Sequence, residues 1–344
     1  MNRRIGVIGA GLMGLTHVRL LTGGVSGAEV VAVSDAMPKA AERAAAEAGG
    51  VAVYASAREL IDDERVEAVV IASPAGTHEA FTVACIEAGK PVLCEKPLAD
   101  SLEAARRVLD AETAAGRRLV QVGFMRRFDP GYADMKTKLD AGLIGRPVLV
   151  HCAHRNPSVP PGFGSEMIVT DTVVHEMDTI RWLLGQEIVR ATVLTPRPTS
   201  RAAEGVQDPQ LVIFQTDDGV LADVEAFVNA QYAYDIRCEV VGELGTISLP
   251  PATPVLVRRE RREAAELPDR FQERFGAAYV NELQAWVAAI AEGRATGPSA
   301  WDGYAAAAVS EATVEALRSG RPVDVALEER PGLYATDPEL IGGR

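Results

Sequence analysis

The stretch Ile5-Gly6-Val7-Ile8-Gly9-Ala10-Gly11-Leu12-Met13-Gly14 decides the fold. A β-branched run, Ile5–Ile8, leads into G-x-G-x-x-G at 9–14, and a helix-forming segment, Leu12–Leu21, follows at once. In a chain with 31 glycines the motif alone says little; its place between a strand and a helix gives it weight. Asp35 closes the next apolar run, about 20 residues on, where a dinucleotide fingerprint puts its acid. Each part has a task. Gly9 permits a tight turn, Gly11 lets the backbone approach a pyrophosphate, and Gly14 lets helix and strand pack closely. The helix start at Leu12 and Met13 offers free N–H groups and partial positive charge to phosphates. A carboxylate at Asp35 can accept hydrogen bonds from ribose hydroxyls and repels a 2′-phosphate. Ala36, Met37 and Pro38 bring no phosphate-binding arginine, although Lys39 and Arg43 lie further along, so NAD is favoured over NADP.

Outward from this unit, short apolar runs at Val30–Val33, Val51–Tyr54, Ala68–Ile71, Val92–Cys94 and Leu119–Val122 alternate with helix-forming segments such as Pro38–Ala48 and Ser101–Ala115. Continuously apolar strands between helices predict a doubly wound parallel sheet covered on both faces. The texture then changes. Residues 146–154, 189–195, 210–216, 220–229 and 236–248 read as longer strands, several alternating. Asp217-Asp218-Gly219 and Gly242-Glu243-Leu244-Gly245 supply turns between them, which predicts an antiparallel sheet. Helices are expected near 168–184 and within 275–318. The class is therefore α/β, with a Rossmann domain over 1–122 and an α+β domain over 123–344. Arg258–Arg274 is dense in charge and reads as a solvated surface.

Composition narrows the function. The 344 residues are 47% hydrophobic and 24% charged, with a formal charge of −13, which argues against nucleic acid or an anionic membrane surface as partner. No apolar run is long enough to span a bilayer. Arg3 and Arg4 are read as part of the first strand rather than a targeting signal. Cys85, Cys94, Cys152 and Cys238 are scattered, which predicts reduced thiols in a cytoplasmic protein.

Two further segments fall at the carboxyl edge of the parallel sheet, where open α/β folds bind ligands. Ser73-Pro74-Ala75-Gly76-Thr77-His78 follows the fourth strand; as a plain turn it would have Thr77 cap the next helix. Glu95-Lys96-Pro97 follows the fifth, and Pro97 holds Lys96 away from helical geometry, so that its ammonium could meet a substrate hydroxyl. In Ile168–Leu184, an ideal helix puts Val173, Met177, Ile180 and Leu184 on one apolar stripe, with Asp171, His175, Asp178 and Trp182 opposite. His175 then stands off the core stripe, one turn after Asp171, as an oriented imidazole would. A surface ion pair is the plainer alternative. His151 and His154 point to opposite faces of a strand-like run, so no metal site is expected. No G-x-S-x-G elbow or cysteine–histidine motif suggests a covalent mechanism.

Together, the fingerprint at 9–14, the Glu95-Lys96-Pro97 triplet and the Asp171/His175 helix resemble the Gfo/Idh/MocA oxidoreductases over nearly the whole chain. Within them the chain looks most like the myo-inositol 2-dehydrogenases. Gly123-Phe124-Met125-Arg126-Arg127-Phe128-Asp129, His154-Arg155-Asn156-Pro157, Asp171-Thr172-Val173-Val174-His175-Glu176 and Tyr234-Asp235-Ile236-Arg237-Cys238-Glu239 carry that narrower likeness. The resemblance implies a large open sheet in the second domain and a homotetramer assembled through its exposed face. It also implies catalysis by Lys96, Asp171 and His175, NAD contacts that include Ser73, Pro74, Thr77, His78, Glu95 and Lys96, and substrate contacts at Met125, Arg126, Asn156, Thr172 and Tyr234. The loop Pro157–Met167 departs from the family in composition. The expected reaction is NAD-dependent oxidation of a cyclic polyol in inositol catabolism, myo-inositol to 2-keto-myo-inositol, with His175 as base. The rivals are another inositol isomer or an aldose such as glucose or xylose, an NAD-dependent glycoside hydrolase, and a non-catalytic NAD sensor.

Overall fold

The chain's computed structural model describes residues 2–250 and 255–335. In its first part the apolar runs form strands β1 (Arg3–Ile8), β2 (Ala28–Ser34), β3 (Ala52–Tyr54), β4 (Ala68–Ile71), β5 (Val92–Cys94) and β6 (Val120–Val122). All pairings are parallel and the order is β3-β2-β1-β4-β5-β6. The chain reverses direction across the sheet between β1 and β4, which makes a crevice at their carboxyl ends. The connecting helices are α1 (Leu12–Gly23), α2 (Pro38–Glu47), α3 (Ala57–Asp62), α4 (His78–Glu87) and α5 (Leu102–Ala115). Their ends follow local chemistry. Pro38 opens α2, Ser56 and Ser101 accept backbone N–H bonds at the starts of α3 and α5, and α5 stops at Gly116, whose φ is +68°.

The second part holds α6 (Pro130–Asp140), capped by Asp129, then β7 (Pro147–Arg155), a short α7 (Ser165–Met167), a π turn over Ile168–Val173, and α8 (Val174–Leu184). Next come β8 (Ile188–Leu194), β9 (Gln210–Thr216), β10 (Leu221–Phe227), β11 (Asp235–Gly242) and β12 (Thr246–Ser248). An exposed hairpin follows, β13 (Leu256–Arg259) and β14 (Arg262–Ala265), in the charge-dense stretch. The last elements are α9 (Phe271–Ala291), α10 (Ala300–Ser319) and β15 (Val323–Asp324). The large sheet has the order β12-β11-β7-β10-β9-β8-β15. It is antiparallel except for β7 and β10, which run parallel, so the sheet is mixed.

Contacts group residues 2–125, 279–307 and 329–335 into one compact unit, and 126–278 with 308–328 into a second. The consecutive division 1–122 and 123–344 puts residues 279–307 in the second domain; here they group with the first. The cause is apolar: Leu283, Trp286 and Val287 of α9 share a buried cluster with Ile5, Val7, Val18 and Leu93. Among the described residues no helix is long and apolar enough to cross a membrane. All four cysteines are buried free thiols.

Candidate active site

In the first unit the fingerprint glycines have distinct structural reasons. Gly9 has φ +91°, and a Cβ there would stand 2.5 Å from the backbone of Ala72 and Ser73. A Cβ on Gly14 would stand 1.8 Å from the Gly9 carbonyl oxygen. Gly11 differs, since a Cβ there meets nothing within 4 Å. It caps α1 without a side-chain bond, and α1 has no acid in its first turn. Leu12, at the start of that helix, is 67% exposed. The first turn of α1, with Met13, thus offers open backbone N–H groups of the kind that bind phosphate.

Asp35, after β2, accepts from Ala10 N at 2.6 Å through Oδ2 and from Met37 N at 2.7 Å through Oδ1. It braces the glycine turn, and each oxygen keeps a lone pair for a ribose hydroxyl. Arg43 reaches the Ala10 carbonyl at 3.4 Å. The open space at Gly11, the free helix start and the Asp35 carboxylate fit an NAD pyrophosphate and adenosine ribose.

After β4, the Thr77 hydroxyl donates to the Pro74 carbonyl at 2.8 Å and lies 2.7 Å from the Ser73 hydroxyl. It makes no cap bond to α4, so the plain-turn reading of Thr77 as a helix cap does not hold. His78, 2% exposed, bridges two backbone carbonyls. After β5, Glu95 turns inward: its Oε1 lies 2.7 Å from Nε2 of the buried His17. This carboxylate, expected on the cofactor, is taken up inside the fold, where its Oε2 also accepts from Lys96 N at 3.2 Å. Lys96 is half-buried and precedes a cis bond to Pro97. Because the strands are parallel, Gly9, Asp35, Ser73 and Lys96 all emerge at one edge. Met125 lies buried at the end of this unit.

In the second unit the Asp/His segment departs from an ideal helix. Val174 N bonds to Val169 O, five residues back, so residues before 174 are wound wider than those after it. A wheel drawn at constant pitch across the segment therefore misplaces faces. Asp171 is exposed and Thr172 buried. His175, expected off the core, is only 9% exposed, and Asp178 and Trp182 are buried with the apolar stripe. The helix is enclosed all round because its acids have cationic partners. Arg126, 1% exposed, bonds through Nη1 to Glu176, and Arg127 bonds to Asp178 at 2.6 Å.

His154 joins this network from β7. Its Nδ1 lies 3.1 Å from both Glu176 carboxylate oxygens and 3.1 Å from Nη2 of Arg126. One nitrogen cannot both donate and accept, and the carboxylate is the stronger partner. Burial opposes the charge on Glu176, yet Arg126 and His154 hold its pKa down to about 2. The His154 ring stands 6.2 Å from the His175 ring and 5.8 Å, edge-on, from Tyr234. Burial pushes the Tyr234 phenol up to about 12. Phe275 packs on Tyr234 at 6.2 Å and beneath the Arg126 guanidinium at 5.5 Å.

The buried polar atoms of this unit that lack a hydrogen-bond partner among the described residues include Arg126 Nε and Asn156 Oδ1. A donor and an acceptor left in that state suit hydroxyl groups of a ligand. The structure thus gathers Arg126, His154, His175, Glu176 and Tyr234 in one contact chain. Glu176 and His154 are the members that sequence reading left out of the site. Their signal was present: an acid on an otherwise enclosed helix requires a buried cation. Among the described residues no three His, Cys, Asp or Glu side chains converge as a metal site.

Comparison with known proteins agrees with this architecture. Residues 3–124 match the oxidoreductase family with NAD-binding Rossmann fold, and residues 136–325 match that family's C-terminal α/β domain. The chain is 56% identical over 337 residues to inositol 2-dehydrogenase 1 of Saccharopolyspora erythraea, covering 98% of this chain and 100% of that one. A myo-inositol dehydrogenase from Lactobacillus casei, solved with NAD(H) and myo-inositol, is 37% identical with a TM-score of 0.94, covering 97% of this chain and 100% of that one. A scyllo-inositol dehydrogenase from the same organism, solved with NAD(H) and scyllo-inositol, is 27% identical with a TM-score of 0.87, covering 95% and 100%. On the two matched domains and the full-length likeness, the chain belongs to the Gfo/Idh/MocA family of NAD-dependent oxidoreductases.

Proposed function

We propose that this enzyme oxidises a ring hydroxyl of a cyclic polyol, with myo-inositol converted to 2-keto-myo-inositol. The likeness over 97% of the chain to an enzyme solved with NAD(H) and myo-inositol carries this reading. Held by the glycine turn, the start of α1 and Asp35, NAD would supply the acceptor for the hydride of the ring carbon. His175 accepts the hydroxyl proton as general base, and Asp171 orients its ring and balances its charge once protonated. Lys96 stabilises negative charge developing on the oxygen. Asn156 Oδ1 and Arg126 Nε, with Thr172, Tyr234 and Met125, hold the remaining ring positions. Such placement fixes which carbon reacts and contributes much of the rate. Glu176 and His154 act behind these groups.

The scyllo-inositol relative supports a second substrate, the isomer with the reacting hydroxyl in the other orientation. The deciding assay incubates each isomer with NAD⁺ at mildly alkaline pH, follows NADH and identifies the ketone. Turnover of neither isomer would overturn the polyol reading.

We further propose a homotetramer built through the outer face of the seven-stranded sheet. A groove of about 810 Å³ opens there, lined by His151, Asp223, Glu225, Arg237 and Leu211 among others. Light scattering on the purified protein measures the assembly; a monomer would refute it.

A further inference from the structure

His78 begins α4, directly after the Ser73–Thr77 loop. Its Nδ1 lies 2.7 Å from the Pro97 carbonyl oxygen, and its Nε2 lies 2.8 Å from the Ser73 carbonyl oxygen. A carbonyl oxygen can only accept, so each contact needs a hydrogen on the ring nitrogen. A neutral imidazole carries one such hydrogen and an imidazolium carries two. With the ring 2% exposed, no water can stand in for a missing donor. The two carbonyls belong to loops after adjacent strands, β4 and β5, and Pro97 follows Lys96.

We propose that His78 is a protonated clamp, its two ring N–H groups tying the Ser73 carbonyl to the Pro97 carbonyl and so fixing Lys96 relative to the Ser73–Thr77 loop. His78 is thus a positioning residue, not a catalytic one. The inference rests on the role given above to Lys96.

The surroundings support the charge. Burial opposes it, as does the start of a helix. The Cys94 sulfur on β5, when charged, and the two carbonyls push the ring's pKa up to about 9; beside the neutral thiol it is the two carbonyls that favour the charge. Charged groups also stand on the neighbouring elements. Glu79, next on α4, pairs with Arg107 of α5. Arg58 of α3 pairs with Glu87 at the far end of α4. Asp100, beyond Pro97, lies beside Gly76.

The test reads protonation and turnover separately. In ¹⁵N-histidine NMR of the wild-type protein, one of the five rings is expected to carry both N–H groups at pH 8 and to titrate near pH 9. That signal should vanish in His78→Gln, or in His78→Asn if the first variant does not fold. Absence of any doubly protonated ring at pH 8 overturns the proposal without any variant. His78→Gln should lower kcat about tenfold or more while KM for NAD⁺ stays within about threefold. In a Lys96→Met background the same change should cost less than about threefold, because it acts through a group already removed. Full additivity would refute the clamp. A Lys96→Met variant with undiminished kcat would refute the role of Lys96 and leave the protonation result standing.

Discussion

The two units build their polar sites in opposite ways. In the first, the open polar surface is mostly backbone: the turn at Gly9, the open approach at Gly11 and the free start of α1. In the second the polar cluster is side chain: Arg126, His154, His175, Glu176 and Tyr234, drawn from residues up to about a hundred positions apart and enclosed by the fold. A backbone site tolerates little change in shape and much in charge. A buried charge network is the reverse, since every member leaves another unsatisfied when it is removed.

The largest effect expected is at His175. His175→Ala should lower kcat by about 10²- to 10⁴-fold, with NAD⁺ affinity by calorimetry unchanged. Full kcat in that variant would end the assignment of a base to the second unit. Next is Glu176→Gln, which keeps the shape and leaves Arg126 buried without its counter-charge. It should cost about 3–5 kcal/mol in denaturant unfolding. The pH dependence sharpens this. The Glu176 pKa is depressed in the folded state, to about 2 from an ordinary 4.5. Its stabilising contribution is therefore complete above pH 4.5 and lost as pH falls through about 2. The wild-type protein should lose stability over that window, and Glu176→Gln should lose correspondingly less.

The smallest effects separate the glycines. Gly14→Ala forces a Cβ against the Gly9 carbonyl and should cost about 1–3 kcal/mol of stability. Gly11→Ala meets open space and should leave stability within about 0.5 kcal/mol, yet weaken NAD⁺. Equal effects of the two on stability would erase the distinction between a structural and a ligand-facing glycine.

Much of the first unit is legible because its determinants are local. The runs Ala68–Ile71 and Val92–Cys94 are strands at the same bounds in the structure, and the other four agree within two residues. Apolar runs, glycine spacing and an acid at Asp35 lie within single βα units. The strands and the two turns of the second sheet are legible for the same reason. The parallel pairing of β7 with β10 is not, because nothing in either strand encodes its neighbour. The enclosure of His175 does not show in a 100° wheel because α8 is buried on every face against partners distant in sequence, and the π turn before it shifts only Asp171 and its neighbours. The pairing of Arg126 with Glu176 and of Arg127 with Asp178 spans about fifty residues and shows only in three dimensions. The grouping of 279–307 with the first unit is a matter of apolar packing, invisible to a pattern that treats domains as consecutive.

The wide turn at Ile168–Val173 closes its backbone bond across one residue more than the helix that follows it. Asp171 lies inside this turn and His175 just beyond it, so the angle between the two side chains is set by the turn and not by the 100° per residue of α8. A change of one residue in the length of this turn would therefore re-aim the carboxylate against the imidazole while leaving both side chains in place.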